Sequence, residues 1–184
     1  IVAIINELPG LSATLRSLRD KCHYQVEVII IYSDISIANN IKQILKYHKL
    51  NSTSKIEHLT KSTVYDAYNL GIKISSGTHL IFLGSYDLLL LDQIPLIEKN
   101  KSYVMRSFLP FRNKIHPLHV NKTMALVFNN CHQSIIYAKE DLVSNLFNSN
   151  YPILADFDVN IKLLLLRKFT FMMNVIAIHQ DYTG

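Results

Sequence analysis

The sequence predicts an α/β domain with a mostly parallel sheet, helices on its faces, and a smaller mixed strand region in the second half. Three observations predict it. Short apolar runs rich in β-branched residues alternate with segments of helical period as far as Leu83. No run approaches the roughly 18 apolar residues that cross a bilayer; unbroken apolar stretches such as 88–91 and 163–166 are only a few residues long. The 184 residues are 49% apolar and 18% charged, below the usual charged share of about 25%, which gives one domain ample material for a core.

Residues 1–5 read as a first strand. Pro9 then opens a helix whose face carries Leu11, Leu15 and Leu18. Residues 26–32 form a continuous β-branched run, the signature of a strand buried on both faces, and Ile37, Ile41, Ile44, Leu45 and His48 follow at helical spacing. A short strand at 56–59 leads to the stripe Val64, Ala67, Tyr68, Gly71 and Ile72, a helix expected to stop near Gly77. Residues 79–83 are the next strand. The second half is less regular: 102–108 and 124–137 read as strand-rich, 139–147 and 156–167 as helical, 169–178 as a strand. Parallel strands of this kind present ligands beyond their carboxyl ends, which points to the positions after Ile5, Ile31, Leu59 and Leu83.

Composition narrows the partners. Cys22 and Cys131 are too few and too far apart for a disulfide framework or a zinc cluster, which suits a reducing cytoplasm. Ile1 begins directly in a strand-like run, so no signal peptide is expected and the numbering is expected to start inside a longer product. The net charge of +5 suits a phosphate-bearing partner such as a sugar nucleotide or an anionic membrane surface. The lysines are scattered without interleaved aromatics, which argues against nucleic acid. With five glycines and no GxxxxGK[ST] or GxGxxG pattern, a glycine-rich phosphate cradle is excluded.

Two stretches carry candidate chemistry. VYDAYNLGIKISSGTHLIFLGSYD, residues 64–87, ends in an apolar strand that delivers Ser85, Tyr86 and Asp87 to the ligand edge. A carboxylate there can hold Mg²⁺ or Mn²⁺, which bridge to diphosphates; taken alone, an aspartate after a strand is more often a helix cap or turn former. ILADFDVNIKLLLLRK, residues 153–168, puts Asp156 and Asp158 at the start of a helix whose apolar face would include Phe157, Ile161, Leu164 and Leu165. Acids in a first helical turn favour the dipole, and a carboxylate at such a junction can also deprotonate a substrate hydroxyl.

Five ordered segments resemble family 2 glycosyltransferases. Residues 64–87 are similar to the family's YDAMNKGI-like helix followed by IxFLNSDD. IVAIINELPGLSATLRSL and EVIIIYSDIS resemble its first strands, CHQSIIYAKEDLVSNLF its HQSxFYRK element, and YPILADFDVNIKLLLLRKFTFMMNVIAIH its YxIAADYDLxLRL region. The resemblance implies a GT-A fold, with a nucleotide-sugar-binding half at 1–87 and an acceptor-side half at 88–184. It implies sugar transfer from a nucleotide diphosphate sugar to a glycan or lipid-linked acceptor, a place in polysaccharide synthesis, and peripheral association with a membrane. Asp87 matches the metal-binding aspartate, His179 falls near the region that closes over the diphosphate, and Asp156 matches the general base. Asn6, Glu7, Tyr32, Asp34, Asp66, Asn69, Ser85 and Tyr86 match donor-side positions; His132, Gln133 and Asp158 fall on the acceptor side.

Several positions depart from the pattern. Tyr32 stands where an aspartate commonly meets the nucleobase, with Asp34 two residues on as a substitute. Tyr86 replaces the first aspartate of the SDD element, and Lys61 and Thr63 replace the Asp and Gly of a DKGIYDA-like run. These changes set a second reading beside the enzyme: a GT-A pseudoenzyme that serves as a binding or assembly module, favoured if Tyr32 and Tyr86 fill the donor cleft.

Overall fold

The computed structural model describes residues 8–19, 24–60, 63–119, 123 and 127–179. The expected first strand at 1–5 lies outside them, as do Cys22, Lys61 and the start of the strand-rich stretch at 124–137. Helix α1 (Leu8–Ser17) is followed by β1 (Val28–Tyr32), α2 (Ala38–Tyr47), β2 (Ser54–His58) and α3 (Val64–Ile74). Strands β1 and β2 pair in parallel, Val28 opposite Ser54 through Tyr32 opposite His58, with α2 as the crossover that parallel pairing requires. The second half contributes β3 (His79–Leu80), β4 (Leu88–Leu89), β5 (Ser102–Leu109), β6 (Lys114–Ile115), β7 (Ile135–Ala138), α4 (Lys139–Val143), α5 (Ala155–Leu165) and β8 (Phe169–Ile178).

These later strands form a six-stranded sheet in the order β3-β7-β5-β8-β4, with β6 on β5. Within it β5 and β8 run parallel and the other pairs antiparallel. The mixed region is therefore larger than the sequence suggests, because strands as short as β4 and β6 leave little trace in periodicity. Residues 81–83 continue from β3 without a described ladder, yet Ile81, Phe82 and Leu83 stay buried.

Strand β1 is buried along its whole length, as its unbroken β-branched run requires. Alternate side chains feed two cores. Val28, Ile30 and Tyr32 join Leu11, Leu15, Ile41 and Leu45 from α1 and α2. Ile29 and Ile31 join Tyr65, Tyr68 and Ile72 of α3 and Val159 and Leu163 of α5. Each large apolar side chain buried in this way contributes about 1.5–3 kcal/mol.

Helix ends follow local hydrogen bonding. Helix α3 starts with a capping box, in which the Thr63 hydroxyl accepts from the Asp66 N–H and the Asp66 carboxylate accepts from the Thr63 N–H. It stops at Ile74, before Gly77, because Ser75 turns extended and its hydroxyl donates to the Ile72 carbonyl at 2.7 Å. Helix α4 is shorter than 139–147: Asn145 donates to the Asp141 carbonyl at 2.9 Å, and the chain turns to bury Phe147. The inward face of α5 is Ala155, Asp156, Val159, Asn160, Leu163 and Leu164. Phe157 and Ile161 are half-buried and Leu165 is exposed, so the expected apolar face is corrected by a rotation of the helix. Counting apolar residues alone misses it, because two buried positions, Asp156 and Asn160, are polar.

Candidate functional site

Residues 84–87 turn the chain beyond the buried run 81–83. The Asp87 N–H donates to the Gly84 carbonyl at 3.3 Å, and Asp87 Oδ2 accepts from the Gly84 N–H at 2.7 Å. A Cβ at position 84 would stand 3.0 Å from that carboxylate oxygen, so glycine allows the close approach. The other oxygen, Oδ1, lies 2.8 Å from Nδ1 of His179. Strand pairing brings the two together: Leu88 of β4 is opposite Ile178 of β8 in an antiparallel ladder, which puts the preceding and following residues side by side. Gln133 also reaches His179 Nδ1, at 2.9 Å. The contact is made by Gln133 Nε2, while Gln133 Oε1 accepts from the Cys131 thiol at 2.8 Å.

Asp156, in the first turn of α5, is only 8% exposed. Its Oδ1 accepts from the Tyr65 hydroxyl at 3.0 Å, and its Oδ2 accepts from the Asn129 amide at 2.7 Å. His132 Nδ1 stands 3.6 Å from Oδ2, an ion-pair distance. Burial pushes the carboxyl upward, but His132, Tyr65 and the Phe157 N–H together outweigh it and hold Asp156 below the ordinary carboxylate value. Tyr65, pushed up to about 12 by burial and by the Asp156 charge, stays a donor at neutral pH. The clamp extends inward: Asn129 Oδ1 accepts from the Asn160 amide at 2.9 Å, and Asn160 Oδ1 accepts from the Tyr137 hydroxyl at 2.8 Å.

The two carboxylates meet at one short 3₁₀ turn, His132–Ser134. His132 faces Asp156 and its neighbour Gln133 faces His179 on Asp87. Tyr68 of α3 is pushed upward by burial and then by both carboxylate charges. Cys131 is pushed up to about 11, first by burial and also by the same two charges, so its thiol is protonated at neutral pH and inert. Asp87, Asp156, His132, Gln133 and His179 thus form one cluster, drawn from elements far apart in sequence.

Other expected site residues are engaged elsewhere. Asn69 donates to the Phe147 carbonyl at 2.8 Å and accepts from the Phe147 N–H at 3.0 Å, so both ends of its amide tie α3 to the segment after α4. Asp66 serves the capping box, and its second oxygen accepts from Ser149 at 2.5 Å. Exposed Asp34 accepts from the Ser36 N–H and hydroxyl, capping the 3₁₀ turn Ile35–Ile37. Asp158 pairs with Lys162 at 2.6 Å on the outer part of α5, away from the cluster. Tyr32 is buried in the core against His58 and does not fill a cleft. Asn6 and Glu7 lie outside the described residues.

Ser85 and Tyr86 are half-buried in the turn beside Asp87. Tyr86 has φ +72°, in the left-handed region that costs a side-chain-bearing residue about 1–2 kcal/mol. Its ring packs directly on Gly10 of α1, where any Cβ would overlap it. Tyr65, Asn129 and Asn160 were not visible as site residues in the sequence. The one available signal is the spacing of Asp156 and Asn160, i and i+4 on a helix face that otherwise carries Ala155, Val159, Leu163 and Leu164.

Asp87 offers a carboxylate oxygen and His179 an imidazole nitrogen to a divalent cation. Among the described residues no third His, Cys, Asp or Glu joins them. A hard cation held by one or two protein groups completes its shell with phosphate oxygens and water, so the pair fits, and the nitrogen ligand suits Mn²⁺ better than Mg²⁺.

Comparison with known proteins completes the picture. The chain is similar to Staphylococcus aureus TarS 1-349 in complex with UDP-GlcNAc, with a TM-score of 0.74 and 14% identity, covering 100% of this chain and 58% of that one. It is similar to the mannosyltransferase PcManGT from Pyrobaculum calidifontis in complex with GDP-Man and Mn²⁺, with a TM-score of 0.69 and 14% identity, covering 97% and 56%. It is also similar to GalNAc-T7 with UDP, GalNAc and Mn²⁺, with a TM-score of 0.66 and 12% identity, covering 100% and 45%. Identities this low establish the fold, which is GT-A, and the chain spans only about half the length of these structures. No curated protein matches it. The model of glycosyl transferase family 2 matches residues 1–142. On that match, the chain belongs to glycosyl transferase family 2.

Proposed function

We propose that this chain is the catalytic domain of an inverting glycosyltransferase that moves a sugar from a nucleotide diphosphate sugar to a hydroxyl of a glycan or lipid-linked acceptor in polysaccharide synthesis. The supporting observation is the convergence of Asp87 with His179 and Asp156 with His132 on consecutive residues of one turn. In this reading Asp156 takes the proton of the acceptor hydroxyl. That oxygen bonds to the anomeric carbon from the face opposite the diphosphate, and the carbon–oxygen bond to the leaving nucleotide breaks. Tyr65 and Asn129 fix the carboxylate, and its lowered pKa keeps it ionised at neutral pH. Asp87 and His179 would hold Mn²⁺, whose charge offsets that of the departing diphosphate. Residues 1–87, joined by His179, then serve the donor and the rest of 88–184 the acceptor. Sparse cysteines and net positive charge support a cytoplasmic place at the inner membrane face. No described helix is long and apolar enough to cross a membrane.

The pseudoenzyme reading is favoured by one observation, the Tyr86 side chain that replaces a carboxylate beside Asp87. Tyr32 gives it no support, being in the core. The two readings separate in an assay of UDP or GDP release from UDP- and GDP-sugars. The enzyme reading expects Mn²⁺-dependent release that Asp156→Asn abolishes; no release from any donor above the protein-free control would favour the binding module.

A further inference from the structure

At the amino ends of β1 and β3, the opposite end of these strands from the Asp87 turn, the fold forms a cleft of about 410 Å³ that is partly open to solvent. Leu18, Val26, Ile81, Leu91, Ile94 and Ile136 supply its apolar wall. Leu18, Ile81, Leu91 and Ile136 are themselves members of the core around α1. A volume of this size lies in the range of small-molecule sites, and a wall of branched aliphatic side chains is poorly served by water.

The polar groups at its rim are nearly all satisfied within the protein. Glu27 pairs with Lys55 at 2.6 Å and accepts from the Ser76 and Gly77 N–H groups. The Tyr24 hydroxyl bridges the Pro95 carbonyl and the Ile97 N–H, and His79 reaches the Lys101 carbonyl. Lys101 pairs with Glu98. Lys99 also lines the cavity, is exposed, and has no ion pair among the described residues. An apolar interior whose mouth carries Lys99, a cation with no ion pair among the described residues, is complementary to a chain with an anionic head.

We infer that this cavity is a binding site for a single-chain anionic amphiphile, its acyl tail inside and its head on Lys99. The volume accommodates a tail of roughly ten to twelve carbons at ~30 Å³ each, about a water's share of liquid. The site is separate from the transfer reading and stands without it.

Calorimetry on the 184-residue chain with decanoate, octanoate, decanol and decanoyl lysophosphatidate, all below micelle-forming concentrations, tests it. Decanoate is expected to bind saturably at one per chain, about tenfold tighter than octanoate. It should bind several-fold more weakly to Lys99→Glu, which leaves decanol binding unchanged. Ile94→Trp, filling the cavity, should remove binding while the melting temperature is kept; Ile97→Trp serves if the first variant does not fold. Tighter binding of the lysophosphatidate would assign a phospholipid source, and equal or weaker binding a free fatty acid. Absent saturable decanoate binding, or binding indifferent to both substitutions, would overturn the inference. Binding of UDP-GlcNAc or GDP-Man, present or absent, is expected to be the same in these variants as in the parent chain.

Discussion

Asp87 Oδ1 and His179 Nδ1 meet at 2.8 Å across 92 residues of sequence, held there by the antiparallel pairing of β4 with the end of β8. A second buried carboxylate, Asp156, stands by His132 in the same cluster, next in sequence to the Gln133 that reaches His179.

If His179 is a metal ligand, His179→Ala lowers Mn²⁺-dependent affinity for a nucleotide diphosphate by roughly 10–100-fold, the range seen when groups supporting a metal are lost. Metal-independent affinity should stay as it was. Titration with and without Mn²⁺ measures both; equal values for the variant and the parent would remove His179 from the metal.

Tyr86→Asp is expected to strengthen that same metal-dependent binding, roughly tenfold, by returning a carboxylate beside Asp87. The backbone accepts the change, because aspartate tolerates the left-handed φ of +72° better than tyrosine does. Weaker binding in this variant would show that the Tyr86 ring on Gly10 shapes the site.

Asp156 predicts a signed pH dependence. Its folded carboxyl lies below the ordinary value of 3.8, so the ionised form is favoured by folding. The resulting stabilisation is present above that value and lost as pH falls through the lower folded one. Tyr65→Phe removes a hydrogen bond to the ionised form, which raises the carboxyl and moves the acid limb of kcat/KM to higher pH. A pH–rate profile checks the limb; an unmoved limb would mean that another group sets it.

Asn69 predicts a loss of stability without a chemical role. Asn69→Ala orphans the Phe147 N–H and carbonyl and should cost about 2 kcal/mol. For a domain of this size that lowers Tm by about 4–8 °C. Calorimetric melting measures it, and nucleotide affinity at low temperature should be unaltered; a fall in affinity with Tm unchanged would instead put Asn69 at the donor.

Periodicity made the elements around the donor end legible. The β-branched run in β1 announces burial on both faces, and the stripe from Val64 to Ile72 announces α3. Asp87, Asp156, His132, Gln133 and His179 were legible through family resemblance, since no local pattern connects positions brought together by a two-residue strand. Tyr65 and Asn129 stayed hidden because each touches Asp156 through tertiary packing, 91 and 27 residues away. Asn69 and Asp66, polar residues at motif positions, have hydrogen bonds to backbone and cap that the motif alone does not reveal.

The central claim, a working donor site built on Asp87, is tested most directly by calorimetric titration of UDP and GDP with and without Mn²⁺, on the parent chain and on Asp87→Ala. Mn²⁺-dependent binding of one nucleotide is expected, and the substitution removes it. Binding that survives Asp87→Ala, or no metal-dependent binding of either nucleotide, would contradict that claim.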